Sequence, residues 1–264
     1  MKLLVVHGSM RRGNTFALTQ EIVRRLAAKP DVEVTETGVA DLDLPLCLSC
    51  HACFERGEEF CPHYGAMRGV EAALLDCDAV ILSGVTYEWA LNAAMKNLVD
   101  HLAWLFHRPA LFGKKGMVIA TSKGAGEKGV AKYLKAVLGQ WGVSGALILT
   151  QNEKEQKLLS GGKQTAKLDR AAEHFYRLMQ SERTLQPSLK AIAVHNSFRA
   201  MAQSEFSESE RDARYWRESG YGGKAYPLKI RWGRRAFGAL VNRAAAGAAR
   251  LAGRVYTKKT VKRI

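Results

Sequence analysis

The regular exchange of short apolar, β-branched runs for amphipathic helical repeats constrains this chain more than any other feature. Five such runs occupy residues 3–6, 32–37, 79–82, 116–121 and 146–149. Between them, apolar residues recur at three- and four-residue intervals. Residues 15–28 place Phe16, Leu18, Ile22, Val23 and Leu26 on one face, and residues 67–75, 93–106, 130–141 and 167–179 follow the same rule. Parallel strands need long crossovers, and a helix in each crossover buries one face of the strands it joins. The expectation is therefore an α/β doubly wound sheet of five parallel strands, a size that fits about 150 residues. Such a sheet takes its ligand beyond the carboxyl ends of its strands.

The same pattern stops near Pro187, and the chain is read as two parts: a sheet domain over 1–180 and an extension over 181–264. Charge follows that boundary. Of the net +15, residues 181–264 supply +12, from 18 Lys and Arg against 6 Asp and Glu. A polar, variable stretch is expected around residues 204–214. The apolar run at residues 3–6 is too short for a secretion signal and leads straight into a glycine loop, so it reads as a buried strand. No stretch reaches the length of a membrane span. A cytoplasmic protein is the expectation, with its basic tail the one segment suited to hold it at the inner face of a membrane.

The loop after the first strand reads Gly8-Ser9-Met10-Arg11-Arg12-Gly13-Asn14-Thr15. Gly8 and Gly13 permit a tight turn, Ser9, Asn14 and Thr15 offer donors, and Arg11 balances a dianion. The following helix N-terminus adds amides and a favourable dipole. This is neither a dinucleotide glycine fingerprint nor a Walker loop. Phosphate binding and an ordinary capped turn are both compatible with the loop taken alone.

With its neighbours, this loop resembles that of the NADPH-dependent FMN reductases and, within them, the iron–sulfur flavoproteins. The 8–15 block matches their G-S-x-R-x-G-N-T phosphate loop. Val85-Thr86-Tyr87-Glu88-Trp89 stands where the family sets a Pro-x-Tyr segment against the flavin, with Val85 in place of Pro and a bulky Trp89. Residues 95–101 match its M-K-N helix, and Thr121-Ser122-Lys123-Gly124-Ala125-Gly126 matches its second glycine loop. The resemblance covers residues 1–180. It implies a flavodoxin-like fold, FMN held at its phosphate by Ser9, Arg11, Gly13, Asn14 and Thr15, and a ring framed by Val85, Thr86, Tyr87, Trp89, Ser122, Gly124 and Gly126. It further implies NAD(P)H as co-substrate, a homo-oligomer, and electron delivery to a flavin, quinone or other small acceptor. Because hydride transfer to a flavin needs no side-chain acid or base, no catalytic residue is assigned. An electron carrier without NAD(P)H activity and a cofactor-free adaptor on the same fold are the alternative readings.

Four of the five cysteines, Cys47, Cys50, Cys53 and Cys61, fall within fifteen residues, and Cys61 precedes Pro62. A secreted disulfide framework would spread its cysteines, so a metal or redox site is the better reading. By spacing, a cluster, a zinc ion and no metal all stay open. The resemblance implies a [4Fe–4S] cluster and, with it, a redox-protein partner. Cys77 precedes an apolar run and is expected to be core. His51, His63 and His107 are read as surface or packing residues.

The segment 227–264 holds eleven Lys and Arg and no acidic residue. On a helical projection Trp232, Ala236, Phe237, Leu240, Val241, Ala244, Ala248, Leu251 and Val255 share one face. Arg234, Arg235, Arg243, Arg250 and Arg254 share the other. Such a helix suits an anionic membrane surface or an acidic partner, and packing on its own domain is the alternative. No nucleic-acid reading motif is present.

Overall fold

Leu3, Leu4, Val5 and Val6 are all buried, because they form an inner strand with helices over both of its faces. The computed structural model describes residues 1–158, 161–182, 185–204 and 209–261, except the side chains of 157, 158 and 252–261. The chain runs β1 (Lys2–His7), α1 (Asn14–Ala27), β2 (Glu33–Gly38), α2 (Ala52–Glu55), α3 (Tyr64–Asp76), β3 (Ala79–Tyr87), β4 (Ala90–Leu91), α4 (Ala93–His101) and α5 (Trp104–His107). It continues through β5 (Lys115–Ser122), α6 (Glu127–Trp141), β6 (Ala146–Asn152), α7 (Glu153–Leu158), α8 (Gly162–Gln180), α9 (Leu189–Ala202), α10 (Glu210–Glu218) and α11 (Trp232–Val261).

Five strands form the parallel sheet in the order β2-β1-β3-β5-β6, with Leu3 opposite Ala79 and Gly116 opposite Ala146. The two-residue β4 pairs only with the end of β3, antiparallel. The pleat sends alternate residues to opposite faces. Leu4, Val6, Val80, Leu82, Val118 and Ala120 pack beneath α3, α4 and α6. Leu3, Val5, Ala79, Ile81, Met117 and Ile119 pack beneath α1 and α8. Winding reverses between β1 and β3, which opens a crevice at their carboxyl ends.

Two expected elements differ. Strand β3 runs on past residue 82 to Tyr87, because Ser83, Gly84 and Val85 keep their pairing with Ile119, Ala120 and Thr121. The single helix expected over 93–106 is two. Leu102 leaves helical geometry, and α5 restarts so that Trp104 and Leu105 turn into the core.

The extension is more ordered than its sequence suggests. Ser188 caps α9 and Ser209 caps α10, each hydroxyl accepting from a first-turn amide. Much of the expected polar stretch is helix: α10 begins at Glu210, and its Trp216 is fully buried. Residues 205–208 of that stretch lie outside the described residues. Helix α9 packs on α5, α6, α10 and α11.

The expected faces of the tail helix need correction. Its inward side carries Phe237, packed on Ile192, Tyr226 and Ile230, and Gly238, where an added Cβ would stand 2.9 Å from Asn196 Nδ2 and 3.1 Å from Ile192 Cγ2. Asn242 Nδ2 donates to the Asn196 carbonyl at 3.2 Å, and Arg234 donates to the Pro187 carbonyl. Trp232, Leu240 and Leu251 therefore face outward together with Arg243 and Arg250 rather than opposite them. The side chains of Arg254 and Val255 lie outside the described residues.

Candidate functional site

The loop after β1 is built around a close backbone approach. At Gly8 an added Cβ would strike the Ser83 carbonyl oxygen and reach 3.0 Å from Met95 Cγ, so only glycine lets the chain pass. The Gly8 amide donates to Ser83 Oγ at 3.1 Å, and its carbonyl accepts from Asn92 Nδ2 at 2.8 Å. Ser9 Oγ donates to the Arg11 carbonyl at 2.6 Å, and the Gly13 amide donates to the same oxygen at 2.9 Å. Gly13 then leads into α1 without a side-chain cap or a first-turn acid. Arg11, Arg12 and Asn14 are exposed around this end. An uncapped helix N-terminus carries partial positive charge and free amides, so the loop fits a dianionic phosphate. Thr15 departs from its expected role: its hydroxyl is buried 2.6 Å from Thr121 Oγ1, which leaves its backbone amide, not its side chain, for an anion.

Across the crevice, β3 and β4 form a hairpin with Glu88 (φ 44°) and Trp89 (φ 62°) at its tip. Both lie in the left-handed region that two-residue hairpin turns reserve for Asn and Gly. A non-glycine residue held there costs of order 1–3 kcal/mol. Tyr87 and Trp89 are 62% and 76% exposed. Gly126 (φ 98°) packs the second glycine loop on this hairpin, its would-be Cβ only 2.9 Å from Thr86 Cγ2. Val85 is half-buried opposite Thr121. Ser122 is also committed, donating to Glu127 Oε2 at 2.6 Å, whereas Gly124 is exposed. Thr86 Oγ1 and Asn92 Oδ1 are buried without partners among the described residues, a state that a ligand with polar edges would relieve. Loops 8–15, 85–92 and 122–126 thus meet at the carboxyl ends of β1, β3 and β5.

Cys47, Cys50, Cys53 and Cys61 line one cavity of about 370 Å³, together with His63, Lys96, Asp100 and His101. The Cys47 amide donates to Asn97 Oδ1 at 2.9 Å, and Asn97 Nδ2 donates to the carbonyls of Leu44 and Pro45. His63 Nδ1 and His101 Nε2 lie 3.2 Å apart. Burial, seconded by the neighbouring Cys61, pushes the Cys53 thiol up to about 11, and burial raises Cys61. Among the described residues no three His, Cys, Asp or Glu side chains converge on one metal-ion position. Cys77, as expected, is core, its thiol directed at the Leu74 carbonyl.

A buried ion network ties this cysteine loop to the extension. Arg108, 2% exposed, donates from Nη2 to the Cys53 carbonyl (2.7 Å) and to Glu58 (2.9 Å), and from Nη1 to Asp212 of α10. The other oxygen of Asp212 pairs with His107 Nδ1 at 2.7 Å, and Arg211 reaches Glu58 at 3.1 Å. The His107 ring stacks on Phe54 and meets Phe198 at a tilt. Sequence reasoning missed Arg108 and Asp212, because no local pattern marks partners 104 positions apart.

One helix joins the two halves of the site. Asn92, at the start of α4, holds Gly8; Asn97 holds Cys47; His101 meets His63. At 1.5 Å per residue, the nine steps from Asn92 to His101 span about 14 Å.

The sheet order, the switch-point crevice and the uncapped phosphate-type loop define a flavodoxin-like protein. The family described as NADPH-dependent FMN reductase matches residues 1–152, and the chain belongs to that family. An iron–sulfur flavoprotein of Archaeoglobus fulgidus is 24% identical over 84% of this chain and 100% of its own length. Another from Methanocaldococcus jannaschii is 30% identical over 38% of this chain and 51% of its own length. Among solved structures, an NADH:FMN oxidoreductase in its apo form superposes with a TM-score of 0.54 at 22% identity, covering 70% of this chain and 94% of that one. An azoreductase from Bacillus anthracis gives 0.52 at 16% identity over 67% and 99%. These structural likenesses share the fold.

Proposed function

We propose that the chain binds FMN between loops 8–15, 85–92 and 122–126, takes reducing equivalents from NAD(P)H, and passes electrons to a small acceptor or a redox protein by way of the cysteine loop. Bound there, FMN would supply hydride acceptance and one-electron release. Arg11 and the first-turn amides of α1 hold the phosphate, and the Ser9 hydroxyl joins them on releasing the Arg11 carbonyl. Thr86 and Asn92 offer polar atoms to the ring, and the Gly124 and Gly126 backbone comes close to it. Tyr87 and Trp89 shield the mouth of the crevice.

Cys47, Cys50, Cys53 and Cys61 would hold a [4Fe–4S] cluster, whose chemistry is one-electron transfer. A tetrahedral zinc would need its sulfurs about 3.8 Å apart, from a Zn–S bond of about 2.3 Å. A cubane is gripped at wider spacing. The four thiols line one cavity and no single-ion group converges among the described residues, so the cluster assignment rests on the cysteine spacing in the sequence and on the names of the two relatives. Binding must displace the protons that burial keeps on Cys53 and Cys61.

The observation that carries the reading is α4, which holds the phosphate-type loop at one end and the cysteine cavity at the other. The test is anaerobic titration of purified protein with NADPH and with NADH, following the flavin absorbance. Bleaching is expected. A flavin that dithionite bleaches but neither nucleotide does assigns the electron-carrier role, the reading that the names of the two relatives support. Protein that releases no flavin on denaturation after reconstitution leaves the adaptor reading. Iron and acid-labile sulfide analysis tests the cluster separately.

A further inference from the structure

Among the described residues, the side of α11 turned away from α9 is unpartnered and carries both apolar and cationic side chains. Trp232, Leu240 and Leu251 are 85%, 65% and 64% exposed. At 100° per residue, Trp232, Ala236, Leu240, Ala244 and Leu251 fall within an arc of about 120°, and Trp232 and Leu251 stand about 28 Å apart along the axis. Arg243 and Arg250 are exposed along the Trp232 edge of this arc and Arg235 beyond that edge, and among the described residues none of the three forms an ion pair. The opposite side is fixed to the protein body through Gly238, Asn242 and Arg234, so the exposed side stays exposed.

We propose that this face of α11 lies in the headgroup region of an anionic lipid bilayer. Charge selects the occupant: segment 227–264 carries eleven cations and no carboxylate. A second copy set against this face would oppose one cationic surface with another, and a net charge of +15 strengthens that repulsion. The apolar side chains stay within one third of the circumference of a single cylinder, a face that a planar surface can meet. A tryptophan at one end, leucines along the stripe and arginines at its margin suit the boundary between acyl chains and phosphates, where arginine stems lie on the apolar layer and their heads reach the phosphates. No helix among the described residues is long and apolar enough to cross a membrane, so α11 lies along the surface.

The test is flotation of the full-length protein with vesicles of phosphatidylcholine, alone or with about one-third phosphatidylglycerol, at low salt. Co-flotation is expected with the anionic vesicles only. R243S/R250S should weaken it about 30-fold, and L240S/L251S at least about tenfold. All these positions are exposed, so circular dichroism and flavin content should match wild type. Absence of flotation with anionic vesicles overturns the proposal. So does flotation that L240S/L251S leaves intact, which would mean that diffuse charge alone binds. Concentration-dependent dimerisation that L240S/L251S abolishes, without vesicle binding, overturns it in favour of a second copy.

Discussion

Replacing Asp212 by alanine tests whether the extension holds the cysteine loop. The change removes the Arg108 Nη1 partner and the 2.7 Å contact to His107 while leaving Arg108 buried. Deleting one partner of a buried ion pair costs about 3–5 kcal/mol. Arg108 keeps Glu58 at 2.9 Å and the Cys53 carbonyl at 2.7 Å, so the lower end, about 3 kcal/mol, is the expected value. With a urea m-value of about 3 kcal/mol/M for a chain of this size, the midpoint should fall by about 1 M. The loss should be felt first in the loop itself. About 3 kcal/mol corresponds to an opening equilibrium raised on the order of 100-fold, read as faster amide hydrogen exchange over residues 50–62. E58Q should cost less, because Glu58 is nearer solvent and Asp212 would still hold Arg108. A D212A protein that loses less than about 1 kcal/mol and keeps wild-type exchange over 50–62 would refute the clamp.

Three further predictions follow from local geometry. G8A places a methyl against the Ser83 carbonyl and Met95, and should cost about 1–3 kcal/mol and sharply reduce flavin retention, measured by thermal unfolding and bound flavin. W89G relieves a left-handed tryptophan and should leave stability unchanged or raise it by about 1 kcal/mol, while turnover falls; a clearly less stable W89G would show that packing, not function, keeps the residue. His195 is buried neutral, with burial and then the Arg199 charge lowering its pKa to about 3. A base with a lowered folded pKa contributes stability that is complete above the unfolded value, about 6.5, and drains away as pH falls from there towards 3. Unfolding midpoints measured from pH 7 to pH 4 should therefore fall less steeply in H195F than in wild type.

The sheet domain was legible in the sequence because its signals are local. A period of two in the strands and 3.6 in the helices follows from which face each element buries. The first glycine loop sits where a strand must turn into a helix. All five main strands were placed, and the four cysteines that share a cavity could be grouped from spacing alone. Residue type also drew attention to the two glycine loops and the hairpin between them.

What each side chain does there depended on neighbours distant in sequence. Thr15 and Ser122 are donors by type, yet the fold sets Thr121 against one and Glu127 against the other, and both hydroxyls turn inward. The tail read correctly as a helix, but its expected apolar and basic faces did not hold, because propensity does not say which face meets the protein. The close approach of α9 selects the side of Phe237 and Gly238, and Trp232, Leu240 and Leu251 are left outside. Arg108 and Asp212 carried no signal, since a buried ion pair between segments about a hundred residues apart exists only after both have docked. Sequence by itself determined the sheet and the chemical types gathered at its edge. Tertiary structure decided which of those groups are free to act, because burial and pairing depend on partners that local pattern does not encode.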